Sequence, residues 1–205
     1  STASVYFLFD TGDGDTSVGN ISENELTAAI NRLNDNMQFS QLSFSIDTIN
    51  RVHNNEWALG LDIVSQTYES VPALSINPTE KLNVFSIIGY SHNLALGGVG
   101  IFPWYLETWD STFYRVTVKS FYYTDQAYQE SRSHVFDHEV GHALGLLHTF
   151  NYGCGSSQHG DYVDDTPTHA GANWGCADGT DSCPDDPRLD PVDNLMNYVY
   201  SPDCP

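Results

Sequence analysis

Basic residues are scarce in this chain. Seven Lys and Arg stand against 27 Asp and Glu, a formal net charge of −20. Such a surface repels phosphate backbones and anionic headgroups, which excludes nucleic acid and acidic membranes as partners. Long apolar runs are missing too, and none approaches the ~20 residues needed to span a bilayer. No basic-then-apolar leader precedes Ser1-Thr2-Ala3, so a mature, secreted domain is expected, with leader and pro-segment already removed. Internal repeats and low-complexity tracts are absent. Cysteine does not occur before Cys154, and methionine occurs only as Met37 and Met196.

With 40% hydrophobic and 13% aromatic residues, 205 residues can bury a real core. The predicted class is α+β: a mixed twisted sheet, two long helices and an irregular, disulfide-stapled C-terminal lobe. Strands are expected at 4–9, 42–49, 82–88 and 114–121, from β-branched and aromatic runs. A capping box, Ser22 with Glu25, predicts a helix from there to Met37. A second helix is expected from Ser131 or Ser133, with Phe136, Val140, Ala143, Leu144 and Leu147 facing the core. One monomeric domain, 1–205, is expected, with an upper lobe to about 148 and a lower lobe of 149–205.

Chemistry concentrates in residues 138–148, His-Glu-Val-Gly-His-Ala-Leu-Gly-Leu-Leu-His. Residues four apart on a helix lie about 40° apart, so His138 and His142 share a face. His148 reaches the same point only if the helix stops first, and Gly145 can stop it by taking positive φ. Three imidazoles leave a fourth tetrahedral position for water, as catalytic zinc sites do. Glu139, beside the first ligand, is placed to take that water's proton. This pattern, with Met196 lying 48 residues after His148, resembles the metzincin peptidases.

Other segments narrow the resemblance. The run HEVGHALGLLHTF (138–150), Asp165-Thr166-Pro167, Asp190-Pro191 and Asn194-Leu195-Met196-Asn197-Tyr198 are similar to the pappalysin family. The likeness is sharpest over 134–205, and upstream Gly100-Ile101-Phe102-Pro103 resembles that family's substrate-binding rim. The resemblance implies an apolar floor at Met196 and a transition-state role for Tyr198. It also implies disulfides Cys154–Cys183 and Cys176–Cys204, where the cysteine count alone leaves three pairings open. A second zinc site is disfavoured, since no C-x-x-C pair occurs.

Residues 161–205 hold ten aspartates and a single base, Arg188. Clustered hard oxygens suit calcium, and the resemblance places a structural ion near Asp161, Asp164, Asp165 and Thr166. The expected function is a zinc endopeptidase acting on protein substrates. Specificity next to the cut is expected from residues 199–204, with Asp203 a candidate for selecting basic side chains. The competing readings are a calcium-stabilised binding module with a dead metal site and a zinc amidohydrolase for a non-peptide substrate. Intact Glu139 counts against the first, and the Met196 turn with an open cleft against the second.

Overall fold

The structure, a computed structural model, describes residues 4–10, 19–54, 58, 74–88, 96–107, 115–123, 134–155, 160–174 and 179–198. Its strands are β1 (Ser4–Asp10), β2 (Ile46–His53), β3 (Leu82–Ile87), β4 (Gly98–Gly100) and β5 (Val116–Lys119). Its helices are α1 (Glu23–Asn36) and α2 (Val135–Ala143). The five strands form one sheet in the order β2-β1-β3-β5-β4. β1, β2, β3 and β5 run parallel, and only β4, at the edge, pairs antiparallel. A mixed sheet of this kind needs cover on both faces.

Alternation along β3 supplies both faces. Val84 joins Val116 and Val118 beneath the helices, packed with Leu26, Ala29, Ile30 and Leu33 of α1 and Val135, Phe136, Val140 and Ala143 of α2. Phe85 and Ile87 face the other way, against Ala58 and the partly buried Val52, Leu74, Ile76 and Val99. The capping box forms as expected: Glu25 N–H donates to Ser22 Oγ at 3.2 Å, and Ser22 N–H to the Glu25 carboxylate at 3.1 Å. Asn36 of α1 donates to the buried Asp137 carboxylate of α2 at 2.6 Å and ties the two helices together.

Several boundaries differ from the sequence reading. The second strand begins at Ile46, not residue 42, because the Asn34 side chain takes both backbone groups of Phe44, at 2.9 and 2.7 Å. That local pairing withdraws Phe44 from the ladder. The strand expected at 114–121 is confined to Val116–Lys119 and turns into a 3₁₀ segment at Ser120–Tyr123. α2 is short, nine residues after His134, and every one of them is buried. Ser131 and Ser133 lie outside the described residues. Leu144, expected in the core, is 41% exposed at the C-cap, one residue past the end of the helix. Leu147 is only partly buried.

After α2 the described chain is turns, bends and short 3₁₀ segments. Cys154 and Cys183 are bonded across 29 residues. A link of this span typically contributes ~2–4 kcal/mol. Cys176 and Cys204 lie outside the described residues, as do residues 199–204, including Asp203.

Candidate active site

The end of α2 builds the site. Gly145 has φ +99°, its N–H donates to His142 O at 2.9 Å, and Leu146 N–H donates to Gly141 O at 2.9 Å. This is a Schellman ending, and it needs a residue without Cβ at the left-handed position. The chain reverses there and brings His148 to the two helical histidines.

The three rings converge. Nε2 of His148 lies 3.0 Å from Nε2 of His142 and 3.1 Å from Nε2 of His138. His138 Nδ1 sits 2.8 Å from Leu195 O, and His142 Nδ1 2.7 Å from Leu146 O. A carbonyl only accepts, so both Nδ1 atoms carry hydrogen and both Nε2 atoms are bare. Bare lone pairs aimed at one point repel unless a cation lies between them. The spacings approach the roughly 3.3 Å nitrogen separation of a tetrahedron with Zn–N bonds of ~2.0–2.1 Å. Carbonyl acceptors on Nδ1 are the usual second-sphere partners of zinc histidines. Among the described residues, these three are the group of His, Cys, Asp or Glu side chains whose ligand atoms gather.

Burial keeps the rings neutral. It lowers His138 to about 4, aided by His142, and His148 to about 3, aided by both His142 and His138, and it lowers His142 as well. Neutral imidazole is the form that binds metal. Burial also raises Glu139, to about 8, opposed by the Gly100 N–H that donates to its carboxylate. A dication in the cluster would favour the charged carboxylate again.

The edge strand leans on this helix through its glycines. A Cβ on Gly98 would lie 2.6 Å from Glu139 Cγ, and one on Gly100 2.1 Å from Glu139 O. The space left at Gly98 is taken by the Glu139 side chain, and the space at Gly100 by the backbone of α2. Underneath, Met196 is 4% exposed, and a Cβ on Gly141 would meet its Sδ at 2.4 Å. The Met196 turn is closed by Asn197 N–H to Asn194 O at 2.9 Å and by Met196 N–H to Asn194 Oδ1 at 2.8 Å.

Thr149 and Phe150, which follow His148, and Tyr198 hold the third imidazole in place. Thr149 N–H donates to Met196 O at 3.2 Å, and its hydroxyl lies 2.8 Å from Nε2 of the buried His169. Phe150 stacks on His148 with centroids 4.8 Å apart and planes 7° apart. Tyr198 packs 4.7 Å from His148 and 5.6 Å from His138. Burial and the Glu139 charge push its hydroxyl pKa up, so it remains a proton donor near neutrality.

The acidic loop is arranged differently. Asp161 is buried and accepts from Val163 N–H at 3.0 Å, while Asp164 and Asp165 are exposed. The carbonyls of Asp164, Asp165 and Thr166 accept from Arg188, at 3.4, 3.0 and 3.3 Å. Arg188 also makes a two-point pair with Asp186, 3.0 Å at each contact. Arg188, ahead of Thr168 N–H, holds the Asp186 carboxyl well below the usual carboxylate range. A depressed carboxyl contributes stability above its unfolded pKa of 3.8 and loses it as pH falls. Arg188→Gln should therefore lower Tm at pH 7, with the gap to wild type narrowing below about pH 4. Thermal unfolding between pH 7 and 2, with a calcium chelator present, reads this out. A gap independent of pH would mean that the pair with Asp186 adds nothing.

Sequence reasoning missed the carbonyls of Leu146 and Leu195 and the helix-facing role of Gly98 and Gly100. Gly141 was findable, since a glycine inside a helix signals a close approach.

Sheet, helix, converging imidazoles and methionine floor together define a zincin domain of the metzincin type. The chain belongs to the peptidase M43, or pappalysin, family, whose model, described as pregnancy-associated plasma protein-A, matches residues 66–203. It is 31% identical to an extracellular metalloprotease of Colletotrichum graminicola over 205 residues, covering 98% of this chain and 70% of that protein. An extracellular metalloprotease of Neurospora crassa is 55% identical over 67 residues, 33% of this chain. That match spans only 23% of the Neurospora protein's length. Mature mirolysin of Tannerella forsythia, in complex with a cleaved peptide, shares the fold with a TM-score of 0.72 and 21% identity. The likeness covers 100% of this chain and 86% of mirolysin.

Proposed function

We propose that the chain is the catalytic domain of a secreted zinc endopeptidase that hydrolyses protein peptide bonds. The observation that carries this reading is the meeting of three Nε2 atoms beside the buried Glu139. The names of the fungal relatives and the cleaved peptide in the mirolysin structure support it. His138, His142 and His148 would hold the ion. Once bound, zinc makes a water acidic enough to ionise near neutral pH and polarises the peptide carbonyl.

The remaining work falls to side chains. The Glu139 carboxylate takes a proton from the attacking water and hands it to the leaving amine. Tyr198 O–H donates to the oxygen on which charge develops. β4 is the last strand of the described sheet, and its outer edge offers backbone groups to an extended peptide. The net charge of −20 fits a monomer with no nucleic acid or membrane partner. Among the described residues, no helix is long and apolar enough to cross a membrane. The test is digestion of a denatured protein mixture with and without a zinc chelator, with cut sites read by mass spectrometry. No zinc-dependent cuts would overturn the reading.

A structural calcium ion near Asp161, Asp164, Asp165 and Thr166 belongs to the same proposal. Its support is the buried Asp161 carboxyl close in sequence to the exposed Asp164 and Asp165, while the Arg188 guanidinium on the carbonyls of 164–166 is the competing cation. Calcium bound only by the folded state raises Tm by mass action. A chelator selective for calcium should lower the unfolding midpoint, and an unchanged midpoint would leave Arg188 as the loop's only cation.

A further inference from the structure

Two exposed indoles stand one ring away from the histidine cluster. Trp174 is 67% exposed and lies 5.2 Å from Tyr198, whose ring touches His138 and His148. Trp104 is 46% exposed and stacks on Phe102 at 4.3 Å, with planes 12° apart. Phe102 meets His142 edge-on at 5.1 Å. The two arms thus approach different ligands, one from the segment after β4 and one from the lower part of the chain. Trp104 also lies against the end of α2, with Cζ3 3.9 Å from the Cβ position of Gly145.

Fold stability does not account for this placement. An indole buries a large apolar area at small entropy cost, and leaving nearly half of Trp104 and two-thirds of Trp174 in water forfeits much of that gain. Exposed aromatic surface continuous with a site marks recognition. Each indole is held against a ring that is itself packed on a histidine, so its position relative to the cluster is set in advance.

We propose that Trp174 and Trp104 wall two apolar subsites, one on each side of the cluster, that select large apolar or aromatic substrate side chains within two residues of the cut. The inference rests on the peptidase reading. A peptide carbonyl placed at the histidines puts its neighbouring side chains within reach of both indoles. Stacking a ring on an indole adds affinity and orients the reacting bond.

The test compares zinc-loaded wild type with Trp174→Ala, Trp104→Ala and the conservative Trp174→Phe, on a peptide library and on matched peptides carrying Phe or Ala at the preferred positions. Wild type should enrich Phe, Tyr, Trp or Leu near the cut. Each Ala variant should lose that enrichment at one position only, and kcat/KM for the Phe peptide should fall roughly ten- to thirtyfold. The ratio of kcat/KM for the Phe peptide to that for the Ala peptide should fall by a similar factor, and Trp174→Phe should keep the preference. Binding of the same peptides, fluorescently labelled, to Glu139→Gln with and without each Trp substitution gives a readout independent of turnover. Wild type cutting with no apolar preference, or preferring Lys or Arg where the indoles stand, overturns the inference. Wild type that cuts nothing overturns the peptidase reading. In that event, weaker binding of the Phe peptide after loss of an indole would still support the subsites, and unchanged binding would refute them.

Discussion

Glu139→Gln should leave the fold and the metal in place and remove nearly all peptidase activity. Glutamine keeps the shape of the side chain and can still accept from Gly100 N–H through its amide oxygen. It cannot take a proton. A general base is typically worth 10²–10⁴-fold, and here the same carboxylate also serves the leaving amine. A loss of about 10³-fold or more in kcat, with KM little changed, is the expected outcome. It is read from the initial rates of a quenched fluorescent peptide, with metal content measured on the same sample. Activity near wild type would mean that another group activates the water.

Gly100→Ala should damage both the fold and the chemistry. The added Cβ would sit 2.1 Å from Glu139 O and 2.8 Å from His142 Cβ, and the first of these is backbone of a buried helix. A flexible side chain could swing aside, but this carbonyl cannot. Strand and helix must separate, at a cost of about 1–3 kcal/mol. For a chain of this size that lowers Tm by roughly 2–12 °C. The movement also carries Glu139 and His142 away from their settings, and a displacement near 1 Å can cost about 10²-fold in rate. Thermal unfolding and kcat/KM of the purified variant check both effects. Wild-type values for both would show that β4 and α2 are not in the contact described.

Much of this was legible in the sequence, and its limits have physical causes. The helical pair His138 and His142, the stop at Gly145 and the return of His148 follow from helix geometry and the freedom of one glycine. Those constraints are local, so eleven residues suffice to express them. The capping box at Ser22 was readable for the same reason. The start of β2 was not, because Asn34 reaches ten residues along the chain to occupy Phe44, and no periodicity reports that. The glycines at 98 and 100 announced a close approach without saying of what. Only the packed sheet identifies the neighbour as α2. Leu144 looked apolar enough for the core, yet it falls just beyond the last helical turn. Arg188, alone among ten aspartates, reads as a stray base in sequence and in the fold becomes the cation that three carbonyls face.

The central claim is that His138, His142 and His148 together hold one zinc ion. Elemental analysis of purified wild type, beside His138→Ala, His142→Ala and His148→Ala, tests it most directly. One zinc per chain in wild type, lost or sharply reduced in each variant while circular dichroism still reports a folded protein, is the predicted result. Wild type without zinc, or a full equivalent retained by any of the three variants, would contradict it.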